Sequence, residues 1–316
     1  MKQVWRIGKL ILVSVLFYIA VRFVGQTWYA SDITTVFLNV PISATKRAVE
    51  ICEEEAGQEE PASVCFWREK PQISVTCRET GQNCILKEII TAGDPDLVIQ
   101  GSSPIRIQKK NCMLDVRSCE ELFGTREAAG QTVLYQGQSY IVCGTFESAQ
   151  KILIRQAEKY SSDDMADLDR IALRFGTTGN SGNDLDQFLV KYSLSGDGVN
   201  LRVLVVLAGD LCLLVPVLTG FFLIKDLVKC SKKGCMIAAI GLTVILLFGV
   251  FRQFQIPSEM VPSKWSDFGF WKNFYEEQRR NLLLLLGSAA GEIQINVLSA
   301  LVRSVFCNLV ACCFSH

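Results

Sequence analysis

The chain has 316 residues, 49% of them hydrophobic, and its 32 basic residues balance 32 acidic ones. That hydrophobic fraction, with a positive mean hydropathy, reads as a membrane protein. The absence of net charge leaves no basic footprint for nucleic acid, and the single histidine, His316, removes Ser–His–Asp and Cys–His catalysis together with almost every histidine-based metal site.

Residues 7–24 are mostly apolar, with Lys2, Arg6 and Lys9 around their start. A run of this length just spans a hydrocarbon layer of roughly 30 Å at about 1.5 Å per residue. A cleaved signal peptide shares the basic start, but the run is long and no clear small-x-small site follows it, Ala30 being a weak candidate. A retained anchor over 1–25 is therefore expected. The positive-inside rule puts its N-terminus in the cytoplasm and the following residues outside.

Residues 26–200 have the composition of an ordinary globular domain. The alternating, β-branched stretch 34–40 reads as a strand that Pro41 ends. Residues 43–55 read as an amphipathic helix, with Ser43 as N-cap and Ala44, Ala48, Val49 and Cys52 on one face. Stretches 64–67 and 72–77 read as two strands joined by a turn holding Pro71, and 84–90 as another strand. A strand at 113–116 leads into a short helix with Ser118 as N-cap, Glu121 completing a capping box and Gly124 stopping it. Stretches 131–135 and 139–143 alternate around Gln136-Gly137-Gln138, a tight hairpin. A further helix is expected over 184–194. This order of elements implies an α+β domain.

The segment Leu122-Phe123-Gly124, then Gly130-Gln131-Thr132-Val133, then Tyr135-Gln136-Gly137-Gln138-Ser139-Tyr140-Ile141-Val142 and Gly144, resembles the run that closes the MacB-type periplasmic core. That core is the extracytoplasmic domain of FtsX/MacB-like permease subunits of ABC transporters. Leu122, Phe123, Gly124, Gly130, Gly137 and Gly144 carry the resemblance as fold determinants and not as chemistry. The resemblance implies one membrane span before the core and three after it, a separate ATPase subunit and a second permease-like chain as partners, and no cofactor.

The C-terminal part, 201–316, reads accordingly. Residues 201–224 are long enough to span, with Asp210 and Pro216 inside them, and Lys225, Lys229, Lys232 and Lys233 follow in what becomes a cytoplasmic loop. Further apolar runs cover 236–251 and 282–301. Together these give an α+β extracytoplasmic domain on a four-helix transmembrane region. Arg279 and Arg280 fall on the outer side, against the positive-inside rule. Between the last two runs, residues 263–278 have a helical period with Trp265, Phe268 and Trp271 on one face, which either lie in the membrane interface or pack against protein. Gly287 and Gly291 have GxxxG spacing, a candidate helix-packing or partner interface. Glu292 beside them either makes a polar interhelical contact or lies near the end of a span that begins later, since a mid-membrane carboxylate costs about 3 kcal/mol.

Of the thirteen cysteines, Cys52, Cys65, Cys77, Cys84, Cys112, Cys119 and Cys143 are expected outside. Their odd number prevents full pairing, and their spacing does not match a zinc site; most are expected as small buried hydrophobes, with one or two disulfides compatible. No P-loop occurs, because the glycine-rich stretch 176–182 lacks the phosphate-gripping lysine. The resulting expectation is a non-enzymatic permease-like or accessory subunit. A membrane-anchored sensor or scaffold is the alternative, because the 225–234 loop is short for a coupling helix.

Overall fold

A computed structural model of the chain describes residues 2–43, 47–102, 110–157, 167–176, 181–228, 260–261, 268–287 and 291–315. Two units emerge: Ile33–Val199 with Gly291–Ile293, and Met1–Asp32 with Asn200–Ala290 and Gln294–His316.

The first unit is a mixed α/β domain. Its strands are β1 (Ile33–Ser43), β2 (Ser63–Cys77), β3 (Asn83–Gly93), β4 (Asn111–Asp115), β5 (Thr132–Tyr135), β6 (Gln138–Phe146), β7 (Ile152–Gln156), β8 (Asp167–Arg174) and β9 (Gly196–Asn200). Helices α2 (Val49–Ala56), α3 (Val116–Phe123) and α4 (Ser181–Lys191) complete it. The strand order is β3-β7-β4-β6-β5-β2-β8-β1-β9, and β2 also pairs with β3. That extra pairing closes β2, β3, β7, β4, β6 and β5 into a ring from which β8, β1 and β9 extend. Closure removes exposed edges from these six strands.

The length of β2 makes this possible. Ser63–Trp67 pairs with β8 and Thr76–Cys77 with β5, while β3 runs along almost the whole of β2. The two strands expected around Pro71 are thus one strand. Proline cannot donate to a ladder, so it occupies a break in register between Lys70 and Ile73, where Gln72 takes φ 55°. Pro41 does not end β1 either: the strand continues to Ser43, and its register shifts between Phe37 and Ile42, sparing the missing N–H.

Inside the ring lies one apolar cluster, built from alternate residues such as Ile73 and Val75 of β2, Leu86 of β3, Leu114 of β4, Val133 of β5 and Val142 of β6, with Leu122 of α3 against them. A second cluster joins the extended part of the sheet (Val36, Phe66, Ile90, Ile171, Leu173) to Ile51 of α2 and to Phe188 of α4 and the neighbouring Tyr192.

Helix α3 starts earlier than its sequence motif implies. Its N-cap is Asp115, extended at φ −67° and ψ 152°, and the carboxylate accepts from the Ser118 N–H at 3.1 Å, from the Ser118 hydroxyl and from the Ile152 N–H at 2.7 Å. Ser118 is therefore the third helical residue, and Glu121 pairs with Lys151 instead of closing a capping box. Gly124 ends the helix in the left-handed region at φ 71°.

The second unit contains α1 (Lys2–Thr27), α5 (Arg202–Val228), α6 (Phe268–Gly287) and, from Gln294 on, α7 (Glu292–Ser315). The run 282–301 is not one helix: α6 ends at Gly287 and α7 begins at Glu292. Glycine is a frequent helix terminator, as Gly287 is for α6, and an acidic side chain such as Glu292 suits a first turn. Among the described residues, one helix, Glu292–Ala311, is long and apolar enough to cross a membrane.

Candidate functional site

Of the residues behind the sequence resemblance, Leu122 is fully buried in the ring and Phe123 packs at its margin. The Gly130 N–H donates to the Val142 carbonyl at 2.8 Å, tying the loop after α3 to β6. Gln136 at φ 49° and Gly137 at φ 76° form the hairpin turn, which asks for two positive-φ residues in succession. Gly144 pairs with Met113 just beyond a register shift in the parallel β4–β6 ladder. The segment thus helps to complete the ring, since its β5 and β6 link β2 to β4.

Three polar groups sit in this interior, and the sequence pattern does not single out two of them, Glu88 and Arg155. Glu88 of β3 is fully buried and forms an ion pair with Arg155 of β7, while the Tyr135 hydroxyl of β5 donates to its other oxygen at 2.8 Å. Lys70 Nζ in turn lies 3.4 Å from the Tyr135 hydroxyl. Burial, and donation to the Glu88 carboxylate, push the Tyr135 hydroxyl well above its ordinary range and keep it a neutral donor. Glu88 and Leu86 alternate on the same face of β3, so the network caps the apolar filling of the ring. A second group surrounds Arg170 of β8, whose guanidinium lies 4.6 Å from the Trp67 ring centre and 3.8 Å from Glu69, itself paired to Lys87 at 3.1 Å.

Between α2 and the end of α4, buried Glu55 accepts from the Tyr192 hydroxyl at 2.6 Å and from Lys191 Nζ at 2.8 Å. Burial raises the Glu55 carboxyl, but these hydrogen bonds more than offset it and hold the group below the ordinary 4.5. Its stabilisation is therefore complete above about pH 4.5 and is lost as pH falls through the lower folded-state value. The unfolding midpoint of wild type and Glu55→Gln, measured by far-UV circular dichroism from about pH 7 to about pH 3, is expected to differ most near neutrality and to converge in acid. A gap that widens toward low pH would rule this out.

Among the described residues, the seven thiols of the first unit form no disulfide. Burial pushes Cys52 and Cys119 up to about 12 and Cys84 up to about 11. Burial also acts on Cys77, but the Thr80 hydroxyl and the Thr80 and Glu79 N–H groups outweigh it and lower that thiol. Among the described residues, no group of three or more His, Cys, Asp or Glu side chains could hold a metal.

Within the helical unit, Val13 of α1, Val215 of α5 and Ala311 of α7 share one cluster. Asn308 Nδ2 donates to Cys212 Sγ at 3.2 Å, with Ser304 3.5 Å from the same sulfur, so α5 and α7 meet through buried polar side chains. Arg303 of α7 lies 5.7 Å from the Phe23 ring centre of α1. A groove of about 340 Å3 runs between α1 and α5, lined by Phe17, Val21, Trp28, Val206, Asp210 and Leu213.

The remaining residues singled out in the sequence are dispersed. Gly287 is the last residue of one helix, and Gly291 directly precedes the next. Glu292 starts α7, is buried, and has one carboxylate oxygen without a partner. Lys225 lies within α5, whereas Lys229, Lys232, Lys233 and Trp265 fall outside the described residues. Phe268 and Trp271 belong to α6, and Trp271 is half exposed.

No protein-family model matches the chain. No curated protein matches its sequence. Among solved structures, it is similar to the periplasmic region of MacB from Actinobacillus actinomycetemcomitans, with 10% identity and a TM-score of 0.42 over 54% of this chain and 89% of that one. It is also similar to the extracellular domain of the noncanonic ABC-type transporter YknZ from Gram-positive bacteria, with 13% identity and a TM-score of 0.37 over 52% of this chain and 97% of that one. At these identities, what the chain shares with the extracytoplasmic domains of ABC-type transporter permeases is a similarity of structure.

Proposed function

We propose that this protein is a permease-like or accessory membrane subunit of a MacB/FtsX-type ABC transporter complex, anchored by one span before its α+β domain and three after it. The domain lies outside the cell membrane and passes conformational change between the spans, while a separate ATPase supplies the energy. A second permease-like chain completes the assembly.

The observation that carries this reading is the way the chain enters and leaves the domain. Helix α1 leads into β1 and β9 leads into α5, and β1 and β9 are neighbours in the sheet. Asn39 joins them twice, its N–H donating to the Ser195 carbonyl and its side-chain amide to the Ser195 hydroxyl, both at 2.9 Å. A displacement of α1 against α5 would load this strand pair directly. Because the sheet is one hydrogen-bonded body, the load would pass to the ring.

Purification of the tagged full chain from membranes of its native cell tests the proposal. Recovery of an ATPase whose turnover changes when this chain is added back is the expected result. A stable complex in which no ATPase is found would sink it and leave the sensor or scaffold reading. The short basic stretch after α5 favours that second reading, since Lys225 is already taken up in the helix.

A further inference from the structure

Helix α6 carries a surface that the transport reading does not use. Phe270, Trp271 and Phe274 form a ring cluster with centroids 5.3 to 6.3 Å apart, yet Trp271 is 48% exposed and its neighbour Tyr275 is 68% exposed. At about 100° per residue the four rings fall within an arc of about 140°. Lys272, Glu276, Glu277, Arg279 and Arg280 fill the opposite arc. The helix is therefore two-faced over its first three turns, and protein leaves much of the Trp271 and Tyr275 rings uncovered.

We infer that the aromatic face of α6 lies in the headgroup layer of a phospholipid bilayer, with its axis along the membrane surface. Indole and phenol rings favour that layer because one end is apolar and the other forms hydrogen bonds to water and to lipid ester groups. Cationic side chains suit it because their stems cover apolar surface while their heads reach lipid phosphate. Arg279 and Arg280 have that character, whereas Lys272 is already 3.9 Å from Glu276.

Continuity argues for lipid over a second protein. Beyond the charged turns α6 becomes an unbroken leucine run, and the next helix, from Glu292 to Ala311, is long and apolar enough to cross a membrane. The aromatic face thus immediately precedes bilayer-crossing chain, where an interfacial segment belongs. The placement also accounts for Arg279 and Arg280 on the outer side. Held at the surface, they need not cross, so the rule against outer cations in short loops bears on them weakly.

The inference rests on the membrane reading above, and its test separates the two. The full chain is reconstituted in phosphatidylcholine vesicles with or without bromine on the acyl carbons nearest the headgroup, and the fluorescence of wild type is compared with that of Trp271→Phe. The emission that depends on Trp271 is expected to lose most of its intensity in brominated vesicles and to resist aqueous acrylamide. A tryptophan added by Tyr275→Trp is expected to behave the same way, which keeps the test valid if Trp271→Phe folds poorly. If the chain resists carbonate extraction but both tryptophans are quenched by acrylamide alone, or are shielded from both quenchers as under a second protein, the placement of α6 is wrong. If carbonate releases the chain, both readings fall.

Discussion

Replacing Glu88 with alanine is expected to lower the unfolding free energy of the α+β domain by about 3–5 kcal/mol, as breaking one side of a buried ion pair does. The alanine would take the Glu88 carboxylate away from the Arg155 guanidinium, 7% exposed, and from the Tyr135 hydroxyl that donates to it. The cost lies in desolvation and not in the contact alone, so a paired replacement separates the two. Glu88→Leu combined with Arg155→Met fills similar volume without charge, and is expected to recover most of the loss. Urea unfolding of the full chain in detergent, followed by far-UV circular dichroism, reads both variants. A Glu88→Ala chain within about 1 kcal/mol of wild type would mean that the pair is not buried as described.

A comparable loss is expected for Gly93→Ala. Gly93 ends β3 at φ 113° and pairs with Cys65 of β2, and an added Cβ would stand 2.1 Å from the Val64 carbonyl oxygen and 3.0 Å from Cys52 Sγ. The oxygen cannot withdraw freely, because it accepts from the Asp94 N–H at 3.1 Å. Overpacking and backbone strain together amount to about 2–6 kcal/mol. Gly81→Ala provides the contrast: φ is 71° there, but nothing lies within 4 Å of the added carbon. Only the left-handed backbone cost of about 1–2 kcal/mol remains at that site. Hydrogen exchange of the β3 amides in the two variants is the more direct readout, and equal losses of protection would refute the close approach at Gly93.

Much of the local structure was legible in the sequence because it depends on near neighbours. The hairpin around Gln136-Gly137, the stop at Gly124 and the helix over α4 each follow from turn chemistry or periodicity within a few residues. The errors arose where a local signal had a nonlocal competitor. Ser118 with Glu121 looks like a capping box, but Asp115 is three residues closer to the strand and also serves the Ile152 amide, far along the chain. Pro71 looks like a turn, but β3 pairs on both sides of it and holds one strand through a bulge.

The sequence by itself determined the broad division of the chain: apolar helices surrounding a segment of ordinary composition that alternates like strands, with a conspicuous aromatic helix near the end. Those features rest on hydrophobic periodicity, which is a property of consecutive residues. Only the tertiary structure decided that β2 and β3 close a ring, that β1 and β9 lie side by side, and that Glu88, Arg155 and Tyr135 meet inside. A charged residue in a strand looks the same in sequence whether it faces water or a partner many residues away. Its burial is settled by which strands pair, and pairing depends on contacts between residues far apart in the chain.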